Sequence, residues 1–436
     1  MKHLASAFFL FFLIGMNVHA QTAQELAAIW DETHITKILP SNARHKDLKN
    51  YLERLKQLGI KGDQVGVSNQ NREIYQMEWG TGRTKVFLWS QMHGDEPTAT
   101  SALIDMFSYL QTNRDKDWVK KLSETVTIRA VPMLNPDGAD AYQRRNWQGI
   151  DINRDAVNLQ TPEARLLKKL RDEWSPEIGF NLHNQQALTT AGRSNRQAAI
   201  SFLVVYGDEA KTTSLGHERN RRLASAMTIA LENFMRGYIG RYDDEWSPSA
   251  FGDNFSAWGT PVILIETGAL HGKDEMFLVK MNFVAILTAL NALATGSEKN
   301  LTGANYDQLP ENSSGRLFNI IFRNATVIDR ANAQTSALAD IAVNVDRRRA
   351  EFTPPFYIRQ VSSLSAYSGL EEFDVSGYYA VARFTSIKPG EFSELLFYKK
   401  DRTVDWNALE LEKQYPPDAI FSLGKWHKGA ELFTKK

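Results

Sequence analysis

The residues with the clearest capacity for chemistry are His93 and Glu96, which lie in the stretch 91–97 between an apolar run and a helical pattern. One imidazole and one carboxylate three residues apart, at a turn that aims both side chains the same way, supply two ligands to a divalent cation. Such a pair also occurs in solvated loops and among helix-capping carboxylates, so the pair alone does not define a site. Because the chain has no cysteine, any zinc must be bound by histidine and carboxylate side chains.

The elements that would position these residues follow from apolar runs that alternate with helical patterns. Strands are predicted at 85–90, 126–131, 178–183, 202–206 and 261–266. Helical patterns begin at Pro97, Pro162 and residue 217. This alternation predicts an α/β fold with a mostly parallel sheet covered by helices.

A shorter pattern precedes these strands. The glycine pair at 80–82 is predicted to form a hairpin turn between strands at 74–79 and 85–90. It does not resemble a phosphate-binding loop, because it precedes a strand instead of a helix.

Two further polar residues end predicted strands. His183 closes the strand at 178–183 and Glu266 closes the strand at 261–266. In parallel sheets functional groups gather at the carboxyl ends of strands, so we expect both residues to lie near His93. Two imidazoles and one carboxylate leave one tetrahedral position for water, as in a catalytic zinc site. Glu266 is then the candidate that takes a proton from this water and delivers it to a leaving amine.

Over residues 45–295 the chain resembles the zinc carboxypeptidases of the carboxypeptidase A superfamily. Five motifs occur in the family's order, at residues 93–96, 135–138, 144–154, 181–183 and 265–268. The polar Asn184–Gln185 that follows the third ligand is typical of a divergent, bacterial-type member. The resemblance implies a mixed, mostly parallel sheet covered by helices.

The resemblance also implies roles for the matching residues. His93, Glu96 and His183 would bind one zinc ion, and Glu266 would act first as general base and then as general acid. Arg144 would polarise the scissile carbonyl and stabilise its oxyanion, with Arg145 as the alternative.

Substrate-binding residues follow from the same resemblance. Asn153 and Arg154 would hold the terminal carboxylate of the substrate, and Asp151 would orient a zinc-binding histidine. The family's flexible tyrosine falls in residues 241–246, where Tyr242 is the candidate. Residues 249–254 should line the side-chain pocket.

The two ends of the chain predict its organisation. Lys2, an apolar block at residues 4–18 and Ala20 fit a secretory signal peptide cleaved after Ala20, which implies a secreted or periplasmic protein without lasting membrane insertion. We predict a signal peptide at 1–20, a catalytic domain at 21–298, a linker at 299–315 and a small C-terminal β-rich domain at 316–436.

Charge limits the choice of partner. The 51 basic and 51 acidic residues give no net field that would attract nucleic acid. We therefore expect a small substrate, either a peptide or an acyl-amino acid with a free carboxylate.

Three functions remain open from the sequence. The first is a zinc metallocarboxypeptidase that hydrolyses the C-terminal peptide bond of peptides. The second is a zinc amidase or deacylase that acts on an N-acyl amino acid or a cell-wall peptide. The third is a non-catalytic zinc-containing binding protein, against which an intact Glu266 and Arg144 argue.

Overall fold

The helices and strands are taken from a computed structural model that describes residues 22–330, 336–345, 355–384 and 386–433. The predicted signal peptide therefore lies outside the described residues. The helices are α1 (Ala23–Thr33), α2 (His45–Gln57), α3 (Thr98–Thr112), α4 (Asp117–Thr125), α5 (Pro136–Ala141), α6 (Pro162–Trp174), α7 (Leu215–Met235), α8 (Phe251–Ala257), α9 (Glu275–Thr295), α10 (Ala304–Asp307) and α11 (Leu411–Gln414).

Strands occur in both halves of the chain. The strands are β1 (Lys61–Val67), β2 (Glu73–Gly80), β3 (Thr84–Ser90), β4 (Val126–Val131), β5 (Ile178–Asn184), β6 (Thr190–Ala191), β7 (Ile200–Val205), β8 (Ile239–Arg241), β9 (Val262–Thr267), β10 (Asn312–Ser313), β11 (Leu317–Ile328), β12 (Ser336–Val345), β13 (Phe356–Ser362), β14 (Ser368–Asp374), β15 (Tyr378–Ala382), β16 (Leu395–Lys399), β17 (Ala419–Ser422) and β18 (Lys425–Lys428).

The first half of the chain forms one mixed sheet with the strand order β1-β2-β4-β3-β5-β9-β7-β8. Its four central strands, β4, β3, β5 and β9, run parallel to one another. The pairs β1/β2, β2/β4 and β7/β9 are antiparallel. The predicted fold class, a helix-covered and mostly parallel sheet, is confirmed. The carboxyl ends of β3, β5 and β9 therefore meet at one edge of the sheet.

Strand β3, at the centre of the sheet, is buried on both of its faces. Val86 and Leu88 face a core shared with α3 and α9, whereas Phe87 and Trp89 face a second core on the other side. On that second side the rings of Trp89 and Phe255 of α8 lie 4.4 Å apart. A strand that alternates between two buried faces reads as a continuous apolar run, as this one does.

The predicted hairpin at residues 80–82 is wrong. Strand β4 lies between β2 and β3, so the two strands that flank Gly80–Gly82 do not pair with each other. The turn instead packs against the end of α4, where a Cβ on Gly82 would come within 1.9 Å of the Thr125 carbonyl carbon. Glycine is required there because of this close approach.

Helix α9 is long and apolar enough to cross a membrane by length and composition alone. In the fold, 72% of its most apolar 18-residue window is buried, and it packs on α1, α3 and α7. It therefore behaves as a core helix of this domain.

The C-terminal β-rich region forms a second sheet with the strand order β13-β12-β11-β15-β16-β17-β18, and β14 also pairs with β11. Strand β11 is interrupted by a bulge between Phe322 and Ala325, where Asn324 adopts a positive φ of 60°.

The segment predicted as a linker contains α10 and β10. The hydroxyl of Tyr306 accepts from Val204 N at 3.0 Å, and β10 pairs with β6. The domain boundaries remain a prediction.

Candidate active site

The loop that carries His93 and Glu96 is held in an unusual conformation at the end of β3. Gln91 adopts a positive φ of 50°, which turns the chain sharply after the strand. Its side chain closes the loop, because Nε2 donates to Gly94 O at 2.9 Å and Oε1 accepts from the Thr100 hydroxyl at 2.9 Å. A Cβ on Gly94 would lie 1.9 Å from the Gly138 carbonyl carbon, so only glycine fits.

The motif at residues 135–138 connects this loop to the arginine that follows it. The Asn135 Oδ1 accepts from Gly138 N at 2.9 Å and so caps α5. The Asn135 Nδ2 donates to Met92 O at 3.2 Å and to Arg144 O at 3.4 Å. The sequence predicted a turn here, and the structure shows that Asn135 also joins the loop of His93 and Glu96 to the backbone of Arg144.

His93, Glu96 and His183 form a single buried group whose donor atoms all lie within 4.8 Å of one another. Glu96 Oε1 lies 2.8 Å from His93 Nδ1, and Glu96 Oε2 lies 2.7 Å from His183 Nδ1. The two Nδ1 atoms are 3.1 Å apart. His93 and His183 therefore turn the same ring nitrogen toward one point, although they lie 90 positions apart in the chain.

These donors fit a zinc ion. Two nitrogen ligands on a tetrahedral zinc lie roughly 3.3 Å apart, close to the observed separation of the two Nδ1 atoms. Two imidazoles and one carboxylate form a typical three-ligand set for a catalytic zinc. We therefore infer that His93, Glu96 and His183 would hold the metal.

The electrostatics of the group favour a bound cation. Burial lowers the pKa of His93, but the charge of Glu96 and the contact with Asp151 outweigh it and raise the pKa of His93 to about 9. Burial raises the pKa of Glu96, and the two histidines reverse this and hold it well below its usual range. Burial lowers the pKa of His183. A cation at this point would satisfy the negative Glu96 and displace the His93 proton.

Asp151 and Arg144 support the group from the side. Asp151 Oδ1 lies 2.9 Å from His93 Nε2, and Asp151 Oδ2 accepts from Arg144 Nε at 3.0 Å. Arg144 Nη1 also donates to Glu96 Oε1 at 3.0 Å. The structure thus places Arg144 at the metal group, whereas the Arg145 Nη1 donates to Gly149 O.

Glu266 lies on β9 directly beside His183 on β5, because the two residues are register partners of the parallel pair. Its side chain is buried, and its Oε2 has no hydrogen-bond partner among the described residues. Burial raises the pKa of Glu266 well above its ordinary value, and the negative charge of Glu96 raises it further. This carboxyl group therefore belongs to the residue next to His183 in the sheet, and its Oε2 is not used by any hydrogen bond among the described residues.

The residues predicted to bind substrate lie around the same edge. Asn153 Oδ1 accepts from Phe251 N at 2.9 Å. The Nδ2 of the same side chain is therefore the donor that remains for a ligand. Arg154 is exposed, and its Nη1 donates to Asn153 O at 2.8 Å. Burial, and then the charges of Glu266 and Glu96, raise the pKa of Tyr242 to about 12, so its hydroxyl stays protonated.

Two contacts at the site could not be predicted from the sequence. The backbone N–H of Asn184 donates to Glu96 Oε2 at 3.1 Å, so the residue after His183 also holds the carboxylate of Glu96. Asn312 Nδ2 donates to Gln185 Oε1 at 2.6 Å, which ties the segment predicted as a linker to the end of β5. The polar run Asn184–Gln185 was the only sequence signal for either contact.

Residues 49–249 match the family model described as zinc carboxypeptidase. One relative, a probable carboxypeptidase 2 of Arthroderma benhamiae, is 33% identical over 112 residues, which cover 26% of this chain and 20% of the relative. Carboxypeptidase M of Mus musculus is 32% identical over 75 residues, covering 15% of this chain and 17% of the relative. The matched part thus spans about a fifth of the length of these curated relatives.

Among solved structures, a metallo-carboxypeptidase from Burkholderia cenocepacia is similar with a TM-score of 0.47 and 15% identity, covering 58% of this chain and 69% of that one. Bovine thrombin-activatable fibrinolysis inhibitor in complex with tick carboxypeptidase inhibitor has a TM-score of 0.46 and 14% identity, covering 59% of this chain and 98% of that one.

Proposed function

We propose that this chain, which belongs to the zinc carboxypeptidase family through residues 49–249, is a zinc-dependent metallocarboxypeptidase that hydrolyses the C-terminal peptide bond of peptides. One observation carries the proposal. The buried donors His93, Glu96 and His183 converge on one point, with Glu266 beside them and Arg144 in contact with Glu96. The family's cofactor is one zinc ion, and these donors fit it.

When bound, zinc polarises the substrate carbonyl and lowers the pKa of a bound water toward ~7. Glu266 accepts the proton of the attacking water and returns it to the leaving amine. A carboxyl whose pKa is raised toward neutrality can do both, and burial raises that of Glu266. Its Oε2 has no hydrogen-bond partner among the described residues, so this oxygen is available for proton transfer.

Arg144 stabilises the negative charge that develops on the carbonyl oxygen. Its guanidinium is fixed by Asp151 Oδ2 through Nε and by Glu96 through Nη1. A donor held in place before the reaction needs no reorganisation when the charge appears. Asp151 at the same time accepts from His93 and so fixes its ring orientation.

Asn153 and Arg154 hold the free carboxylate of the substrate. The amide of Asn153 presents its Nδ2 donor, because its Oδ1 is bonded to the α8 backbone. Arg154 supplies an exposed planar guanidinium that matches a carboxylate with two parallel hydrogen bonds. Tyr242, protonated at neutral pH, donates to the substrate from the other side.

A second candidate, an amidase or deacylase acting on an N-acyl amino acid or a cell-wall peptide, is favoured by one observation. The loop after β9 meets the C-terminal sheet, where His271 Nε2 lies 3.7 Å from Glu371 Oε1. The C-terminal β-rich region lies beside the carboxyl end of β9, the strand that carries Glu266. In this position it restricts the space for a long substrate. Secretion through the predicted signal peptide is part of either proposal.

The test measures zinc content and turnover of the purified protein on blocked peptides with free or amidated C-termini, with and without a chelator. We expect one zinc per chain and chelator-sensitive cleavage of only the peptides with a free carboxylate. One zinc per chain with cleavage of N-acyl amino acids alone would support the second candidate. Absence of zinc would contradict the proposal.

A further inference from the structure

A surface cavity of about 420 Å³ adjoins the metal group, lined by Gln143, Arg144, Arg145, Asn146, Trp147 and Gly149. Arg144 belongs to both sites, since its Nη1 also donates to Glu96. Asn153 and Arg154, which the proposed function assigns to the terminal carboxylate, do not line this cavity. The cavity therefore lies beside Arg144 and apart from the residues proposed to hold the terminal carboxylate.

The turn that forms this cavity is rigidly anchored. Asn146 Oδ1 accepts from Gln148 N at 3.1 Å and from Ile150 N at 3.0 Å. Its Nδ2 donates to Glu163 Oε2 at 3.3 Å, and both Asn146 and Glu163 are fully buried. A buried asparagine that satisfies two backbone donors of the same turn holds that turn in one conformation.

This anchored turn projects Trp147 into solvent. Its side chain is 58% exposed, and it is the one tryptophan among the large apolar side chains that the described part of the chain leaves exposed. Arg145 lines the same cavity and is exposed, and its Nη1 donates to Gly149 O at 3.0 Å without a carboxylate partner among the described residues. An indole face next to an exposed guanidinium can stack on a ring while the guanidinium pairs with an acid.

We propose that Trp147 and Arg145 form a subsite for the retained, amino-side part of a peptide substrate, selecting an aromatic side chain next to an acidic one. Trp147 stacks on the aromatic ring, and Arg145 binds the carboxylate. The inference rests on the proposed peptidase function, because the position of the scissile bond is taken from it. The subsite sets specificity and takes no part in bond cleavage.

The test uses four acetylated tetrapeptides that share their last two residues and begin with Phe-Glu, Phe-Gln, Ala-Glu or Ala-Gln. In Trp147→Ala, the ratio of kcat/KM for phenylalanine over alanine peptides should fall about 3-fold to 10-fold, while Trp147→Phe keeps most of it. In Arg145→Gln, the ratio of kcat/KM for glutamate over glutamine peptides should fall by a similar factor. Leu409→Ala, at a side chain that is 97% exposed in the C-terminal region, is the matched surface control.

A second readout separates this inference from the proposed function. Calorimetry measures the Kd of each peptide for the zinc-loaded Glu266→Gln protein, alone and combined with each subsite substitution. If the wild-type protein cleaves no peptide but the Kd ratios fall as expected, the subsite stands and the peptidase proposal fails. If cleavage occurs and both sets of ratios stay unchanged, the subsite is overturned. Tighter, Trp147-dependent binding of a glycan-bearing cell-wall fragment would overturn its assignment to peptides.

Discussion

Replacing Asp151 with asparagine should weaken zinc binding, although Asp151 is not one of the three residues proposed to bind zinc. Three donors converge on this carboxylate, namely His93 Nε2 at 2.9 Å, Asn153 N at 2.9 Å and Arg144 Nε at 3.0 Å. An asparagine has one acceptor oxygen, so its Nδ2 group would face either the imidazole or the guanidinium. Either arrangement loses an orienting contact at the metal group.

The size of the effect follows from the role of such partners. Loss of a carboxylate that orients a metal-binding histidine costs 10-fold to 100-fold in metal affinity, or about 1.4 to 2.8 kcal/mol. At free zinc well above Kd, the zinc-dependent part of the free energy of unfolding should fall by the same amount. The substitution keeps the size of the side chain, so packing changes little.

The assay titrates zinc into the metal-free protein against a competing chelator and measures the melting temperature with and without zinc. Asp140→Asn is the matched control, because Asp140 Oδ2 accepts from Arg72 Nε at 3.0 Å with no histidine of the metal group nearby. We expect a change in zinc Kd of less than about 2-fold in this control. A zinc Kd for Asp151→Asn equal to that of the wild type would refute the assignment of Asp151 as the partner of His93.

Three further predictions concern the proposed chemistry. Glu266→Gln should retain one zinc per chain and lower kcat by about 10²-fold to 10⁴-fold, and normal turnover would exclude Glu266 as the general base. Arg154→Ala should raise KM about 10-fold for peptides with a free C-terminal carboxylate, with Arg165→Ala as an exposed arginine control, and an unchanged KM would contradict the carboxylate clamp. In the metal-free protein, the contacts of His93 raise its pKa to about 9 from 6.5, so their stabilisation is complete below pH 6.5 and is lost as pH rises through 9. The melting temperature of the chelator-treated protein should therefore fall between pH 7 and 9, and its zinc affinity should rise over the same range. If the melting temperature of the metal-free wild-type protein depends on pH no more than that of His93→Gln, this linkage is disproved.

Much of the fold could be predicted because its signals are local. The apolar runs of β3, β5 and β9 end in polar residues, and parallel strands bring those ends to one edge. For this reason His93, His183 and Glu266 could be expected near one another before any coordinates were known. The order of strands could not be predicted in the same way. The position of β4 between β2 and β3 depends on contacts between residues some 50 positions apart, as in the pairing of Trp79 with Ile128.

The sequence by itself determined the kinds of donor available, the strands that carry them and the absence of any cysteine ligand, since residue type and short-range periodicity encode these features. Only the tertiary structure decided that Arg144 and not Arg145 reaches Glu96, and that Asn135 joins the loop of His93 and Glu96 to Arg144. Tertiary structure also decided that burial and Glu96 raise the pKa of Glu266. These properties arise from the directions of side chains and from the exclusion of water, and both depend on residues that are distant in the chain.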